Sequence, residues 1–337
     1  MNDVIIQNGK HLTVANITNT FSKLPVGNYV LQFNEMSGFY LETQTPFDIP
    51  KNIYGDLSYT ERWKIAFEAT NKNLGILLSG YKGNGKTLTA QYFCQMMKLP
   101  VIFITRAYTG PVFESFISNP LFNNSIIFID EFEKLYSDDE GNGDALLALM
   151  DGVYTTHNIF LLTANDTRII NDKFKNRLGR IRYHKKYSSI EPSVIDATIK
   201  DLLKRKEHEK SVRATVDLIP NLSFDILTTL IKEVNLFNQP ATDCVRFLNL
   251  VRESIYYDIS VTNGIDRIEC SSRMVMVPEG SVDIYYMNAR PKGTKWPEGR
   301  LNLQNYALEK IDGGLKFNYD NTYTVMLLRS DSEIFTF

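Results

Sequence analysis

The chain has 337 residues, 43% of them hydrophobic and 23% charged, with 37 Lys and Arg against 39 Asp and Glu. That length suits two or three compact units, and the composition is that of a soluble globular protein. A formal net charge of −2 and a pI near 6.2 exclude a global electrostatic case for binding nucleic acid or an anionic membrane.

No apolar run approaches the roughly 20 residues that span a bilayer, and the opening MNDVIIQNGK lacks the apolar region of a signal peptide. Cys94, Cys244 and Cys270 are scattered, with no CxxC and no histidine cluster beside them. Reduced, buried thiols in a cytoplasmic protein are the expectation. Residues 1–50 read as a β-rich segment, in which YVLQFN (29–34) and GFYLETQ (38–44) flank the short turn EMS as a hairpin would. From 51 to 188, apolar strands alternate with helices: GILLS (75–79), VIFIT (101–105), SIIFID (125–130), NIFLLTAN (158–165) and IRYHKK (181–186). Continuous apolar strands between helices predict an α/β fold, a doubly wound parallel sheet covered on both faces.

Residues 191–258 read as helical through EPSVIDATIKDLLKRKEHEK, FDILTTLIKEVNLF and PATDCVRFLNLVRESIYYD. The charge run KRKEHEK (204–210) reads as a solvated helix face. From about 260 the pattern returns to strands, with VDIYYMNA and TYTVMLLRS separated by the Gly/Pro-rich NARPKGTKWPEG. The expected division is therefore 1–50, 51–188, 189–258 and 259–337, with β-rich segments at both ends. There is no internal repeat.

Directly after GILLS comes GYKGNGKT (80–87), which fits G-x-x-x-x-G-K-[ST], the phosphate-binding P-loop. Gly80, Gly83 and Gly85 allow backbone conformations closed to other residues, so successive N–H groups can converge on one anion. The expected phosphate cradle comprises Gly80, Tyr81, Lys82, Gly83, Asn84, Gly85, Lys86, Thr87 and Leu88. Lys86 would reach the β- and γ-phosphates and the Thr87 hydroxyl would ligate Mg²⁺. The following KTLTAQYFCQMMK predicts a helix that turns its positive N-terminus to the phosphates and ends before Pro100.

SIIFIDEFEKL (125–135) is an apolar strand ending in acids. At the C-terminal edge of such a sheet, Asp130 would join the Mg²⁺ shell and Glu131 would orient and deprotonate a water. Acids also favour helix N-termini, but the upstream P-loop makes the catalytic reading the stronger one. One strand, VIFIT, intervenes between the P-loop and the acidic strand, and such an inserted strand is a feature of additional-strand ATPases. NKxD, which reads guanine, is absent, so ATP is preferred to GTP. NIFLLTAND (158–166) ends with Asn165, whose amide would sense the γ-phosphate or hold the lytic water; alone, it is an ordinary turn residue.

In this order the motifs resemble the AAA ATPases of the AAA+ superfamily, closely over about 50–188 and more loosely to 258. The core looks most like AAA ATPases encoded by large tailed phages, which would make the location a host cytoplasm. The resemblance implies that 189–258 is a helical lid. It also implies that IPKNIYGD (49–56) lies against adenine through Ile53, Tyr54 and Gly55. ALLALMDGV (145–153) is similar to the family's LLxxLDGV segment, and FKNRLGRIRY (174–183) to its RPGRFD element, with Leu178 where proline is usual. On that match Arg180 is an arginine finger offered to a neighbouring subunit, with Arg177 in support. The family's second arginine is replaced by Tyr183 or displaced to Arg182. TRAYTGP (105–111) sits where the family carries pore loop 1, which implicates Tyr108, Thr109 and Gly110. Arg246 is a candidate lid sensor.

The resemblance implies a homo-oligomeric ring, a hexamer, that uses ATP and Mg²⁺ to unfold, remodel or translocate a protein substrate. A nucleic-acid machine of the helicase- or clamp-loader kind is the alternative. It draws on the basic cluster KFKNRLGRIRYHKK (173–186), two of whose arginines the finger role already accounts for. A slow nucleotide-dependent switch is a third reading, opposed by Glu131 and Arg180. No membrane partner is expected.

Overall fold

The computed structural model describes residues 2–8, 11–17, 19–136, 146, 149–150, 156–165, 181–187, 190–219, 222–248, 254–275, 280–285 and 296–329. The chain divides into two compact units, Met1–Ser188 and Ser189–Phe337.

In the first unit, β1 (Asn2–Asn8) and β2 (His11–Ile17) form an antiparallel pair of their own. The main elements follow: β3 (Asn28–Asn34), β4 (Gly38–Gln44), α1 (Ser58–Glu68), β5 (Leu74–Gly80), α2 (Lys86–Met97) and β6 (Val101–Phe103). Then come α3 (Pro111–Ile117), β7 (Ile126–Ile129), α4 (Phe132–Leu135), β8 (Ile159–Ala164) and β9 (Tyr183–Tyr187). They build a seven-stranded sheet in the order β4-β3-β6-β7-β8-β5-β9. Every neighbouring pair is parallel except the β3–β4 hairpin, whose turn is residues 35–37.

The inner strands β5, β7 and β8 are buried on both faces, which is why they read as unbroken apolar runs. Leu74, Ile76 and Leu78 of β5 pack with Trp63, Phe67, Ala90 and Phe93 from α1 and α2. Leu77, between them, points to the opposite core with Phe113, Ile117, Phe132 and Tyr136.

Two differences from the sequence reading concern this sheet. The 29–44 hairpin is not a separate segment, because β3 pairs with β6 and extends the parallel sheet outward. Moreover, VIFIT does not separate the P-loop strand from the acidic strand in space. The strand between them is β8, which pairs with β5 on one side and β7 on the other. Crossover connections let sequence neighbours land apart.

The second unit begins with α5 (Pro192–Leu202), α6 (Glu209–Leu218), α7 (Phe224–Phe237) and α8 (Ala241–Cys244) around Ile199, Val212, Leu227, Leu230 and Ile231. Ser223 caps α7 by accepting the Ile226 N–H. An antiparallel sheet follows, comprising β10 (Ser254–Thr262), β11 (Arg267–Val275), β12 (Ser281–Ile284), β13 (Gly299–Asn302), β14 (Glu309–Ile311), β15 (Gly314–Tyr319) and β16 (Tyr323–Arg329). Its order is β13-β12-β11-β10-β16-β15-β14.

The helix expected to run through 258 gives way to β10 at Ser254. Val245, Leu248 and Ile255 come at helical spacing in the sequence and invite the wrong assignment. However, Ile255, Tyr256, Tyr257, Ile259 and Val261 suit a strand, and β10 is central, paired with both β11 and β16.

Tyr108, in the stretch aligned with pore loop 1, does not stand free at a loop tip. Its ring packs edge-on against Phe39 at 5.2 Å and lies 6.0 Å from Phe113, at the margin of the core beneath α3. The Tyr108 N–H donates to the Tyr136 hydroxyl at 3.4 Å, and burial pushes the Tyr136 phenol up to about 12. The hairpin β3–β4 supplies Phe39, so a strand pair unforeseen in this sheet provides the surface that holds the ring. Gly110, with φ 91°, ends the loop, and Pro111 starts α3, where its fixed φ suits the first helical position. Thr109 remains exposed.

Truncating this half-buried ring in Tyr108→Ala should cost roughly 1–3 kcal/mol, below the full value for a core aromatic. Tyr108→Phe, which keeps the packing, should leave the denaturation midpoint unchanged. An unaltered midpoint in Tyr108→Ala would show that the ring is free.

Candidate active site

The C-terminal tips of β5, β8 and β7 are neighbours at one edge of the sheet, and the polar residues of the site hang from them. At the end of β5 the chain enters the P-loop through Gly80, at φ 133°. A Cβ here would fall 1.8 Å from the Tyr187 carbonyl oxygen, so only glycine fits against β9. The Tyr81 N–H donates to the same carbonyl at 3.3 Å. Gly85, at φ 84°, is the N-cap of α2 and provides no side-chain acceptor. The N–H groups of the helix's first turn therefore lack intrahelical acceptors and are suited to an anion.

Lys86 is 5% exposed. Its ammonium donates to the carbonyls of Gly80 and Tyr81, both at 2.8 Å. Burial pulls this ammonium below the ordinary lysine range, while Glu133, Asp130 and Glu131 pull it back. An ammonium has three donors, so one remains beyond the two loop carbonyls for a phosphate oxygen.

Across the sheet edge, Asp130 Oδ1 accepts the hydroxyls of Thr87 at 2.9 Å and Thr163 at 2.5 Å. Thr87 and Asp130 thus present two hard oxygen donors side by side. Among the described residues no group of three or more His, Cys, Asp or Glu could hold a metal alone. That donor set fits Mg²⁺, which commonly combines one or two protein oxygens with substrate phosphates and water.

Glu131 lies in the left-handed region, with φ 51° and ψ 51°, and caps the short helix α4. Its N–H donates to Thr163 Oγ1 at 2.9 Å. Its carboxylate accepts the Asn165 amide at 2.8 Å and the Lys134 ammonium. The hydrogen bond from Lys134 is the main cause holding Glu131 below the usual carboxylate range, and the one from Asn165 adds to it. Asn165 is held at its other end as well, because its backbone N–H donates to Glu133 Oε1 at 2.9 Å.

A second polar layer lies beneath the P-loop. Tyr187 donates to Thr89 Oγ1 at 2.9 Å, and its hydroxyl lies 2.8 Å from that of Tyr59. Burial pushes the Tyr187 phenol well up, so it stays neutral. The Ser79 hydroxyl lies 2.7 Å from His184 Nε2.

The structure thus brings Lys86, Thr87, Asp130, Glu131 and Asn165 together, beside the loop of Tyr81, Lys82, Gly83, Asn84 and Gly85. Leu88 lies in the first turn of α2. Ile53 and Tyr54 are half-buried and Gly55 is exposed with φ 102°, in the loop before α1. Arg246 is an exposed residue of the second unit. Arg182 lies over the Tyr183 ring at 5.6 Å. Arg177 and Arg180, and most of 145–153, lie outside the described residues. Sequence reasoning missed Thr163, Glu133, Lys134 and Tyr187. Thr163 alone left a signal, a hydroxyl in an otherwise apolar strand.

A model of the ATPase family associated with various cellular activities (AAA) matches residues 76–186, the stretch that carries this site. A search of curated proteins finds no match. Among solved structures, the Thermotoga maritima RuvB Holliday junction branch migration motor is similar at 16% identity and a TM-score of 0.38, covering 53% of this chain and 61% of that one. A proline-to-glycine mutant of Thermotoga maritima RuvB is similar at 14% identity and a TM-score of 0.39, covering 54% and 63%. The chain thus spans less than two thirds of the length of those structures.

The Lys134–Glu131 pair has a measurable consequence. Since the folded value for Glu131 lies below the unfolded one, the pair's stabilisation is present at neutral pH. It is lost as pH falls through the folded value. In a ¹³C NMR titration the Glu131 carboxyl should therefore show a midpoint below 4.5, the ordinary value. Lys134→Ala should move it upward. An unmoved midpoint would mean that the pair does not form in solution.

Proposed function

We propose, on the premise that residues 76–186 form a domain of the AAA ATPase family, that the chain hydrolyses ATP with Mg²⁺ to remodel a protein substrate as a ring of copies. The observation that carries hydrolysis is the convergence at one sheet edge of the Lys86 ammonium, the Thr87–Asp130 oxygen pair and the Glu131–Asn165 pair.

Each side chain has work that follows from its chemistry. Lys86 turns its remaining donor to a phosphate oxygen, which gives a buried cation an anionic partner. Thr87 and Asp130 would hold Mg²⁺, which when bound neutralises charge on the phosphates. Glu131 takes the proton of the attacking water, and Asn165 fixes the plane of that carboxylate. Releasing Glu131 from Lys134 restores a stronger base. Ile53, Tyr54 and Gly55 would lie against adenine. Arg180, supported by Arg177, would complete the site of the adjacent copy, and Arg246 would act as lid sensor within 189–258.

The protein substrate rests on the loop 105–111, which leaves β6 at the same sheet edge. With Tyr108 packed, Thr105, Arg106, Ala107, Thr109 and Pro111 are the exposed residues of that loop. The chain itself would grip through these residues.

Lys86→Ala should abolish nucleotide binding, while Glu131→Gln should bind ATP and turn over very slowly. Arg180→Ala should bind ATP yet lose a large part of the roughly 10³–10⁵ in rate that a trans finger supplies. Mixing Arg180→Ala with Lys86→Ala should restore some activity, since mixed rings contain intact composite interfaces. A fully active monomer at every concentration would remove the ring. Glu131→Gln trapped with ATP should retain a protein substrate. ATPase stimulation by DNA with a steep salt dependence would put a nucleic acid in its place.

A further inference from the structure

We infer that Thr163 is a positioning residue for both acids of the site, one hydroxyl that orients Asp130 toward the metal and fixes the backbone of Glu131. The inference rests on the ATPase reading above and adds a residue that reading does not use.

Thr163 lies one residue before the end of β8 and is 1% exposed. Pairing of β7 with β8 stops at Ile129 and Leu162. Beyond that point β8 continues beside β5, where Thr163 is opposite Leu78. The other chain turns away into α4, with Glu131 in the left-handed region. The backbone ladder between the two strands is therefore broken where the acids begin, and the Thr163 side chain takes its place.

The polarity of this bridge is fixed. A backbone N–H can only donate and an ionised carboxylate can only accept, whereas a hydroxyl has one proton and two lone pairs. Thr163 must therefore accept from the Glu131 N–H and give its proton to Asp130 Oδ1. The bond to a charged acceptor is the stronger kind. Of the side chains bonded to these two acids above (Thr87, Lys134, Thr163 and Asn165), Thr163 is the one common to both. The second hydroxyl on Asp130 Oδ1 belongs to Thr87, whose oxygen is itself a candidate metal ligand.

The geometry distinguishes positioning from packing. Valine has the shape of threonine, yet it would leave the Glu131 N–H without its acceptor and release one of two restraints on Asp130. Serine keeps the hydroxyl and loses only a methyl group. Groups that orient metal-binding side chains are typically worth 10–100-fold in metal affinity or activity.

The test uses the full chain with Thr163→Val and Thr163→Ser. Mn²⁺ affinity in the presence of ADP is read by electron paramagnetic resonance, with kcat and KM for ATP measured in parallel. Thr163→Val should bind ADP without metal as the unaltered protein does. It should lose about tenfold or more in Mn²⁺ affinity and in kcat, with KM within about threefold. Thr163→Ser should restore both to within about threefold. Wild-type Mn²⁺ affinity and kcat in Thr163→Val, or no rescue by serine, would overturn the inference. If Thr163→Val does not fold, Thr163→Cys replaces it. A thiol is a weak donor, so metal affinity should fall below that of Thr163→Ser, and equality would overturn the inference. Should the unaltered protein hydrolyse no ATP, the proposed function fails, while the Mn²⁺ measurement still decides the role of Thr163.

Discussion

A nearly buried ammonium sets the terms for this site. Lys86 cannot lie inside the P-loop unless its charge is met, since desolvating a cation is expensive. Two carbonyls from the loop meet it directly, and three carboxylates act on it, Glu133 from α4 and Asp130 and Glu131 from the turn after β7. That requirement explains the tight glycine turn, which aims the carbonyls of Gly80 and Tyr81 at Nζ. It also gives the acids of β7 a purpose before any ligand arrives. A phosphate oxygen would take the remaining donor without asking the lysine to move far.

The strand β8 links the parts. It pairs with β5 and β7, and its polar tip reaches both acids that follow β7. Thr163 touches Asp130 and the backbone of Glu131, and Asn165 touches the side chain of Glu131. Glu133 then ties Asn165 back to α4. At the opposite border of β5, Tyr187 closes on Gly80 so nearly that a methyl group would not fit. The P-loop is thus held between two neighbouring strands, one carrying acids' partners and one carrying a backbone wall.

The α/β core was legible because parallel strands buried on both faces are continuous apolar runs with helices between them. The P-loop, the acidic strand and Asn165 were legible because residue type and order suffice to identify them. Other features depend on long-range pairing, which local pattern does not encode. Strand β3 joins the core sheet only through its contact with β6, and that contact is what brings Phe39 to Tyr108. The start of β10 was misread because apolar residues at helical spacing precede a strand that is stabilised from both sides. Thr163 escaped notice for a related reason. A hydroxyl in an apolar strand gains meaning only when the turn of a different strand leaves an N–H beside it.

The measurement that tests this account most directly is phosphate release from ATP by the purified full chain, with and without a chelator of divalent cations. The account predicts steady release that stops when Mg²⁺ is removed and resumes when it is restored. Release indistinguishable from buffer, or release that continues at full rate under chelation, would contradict it.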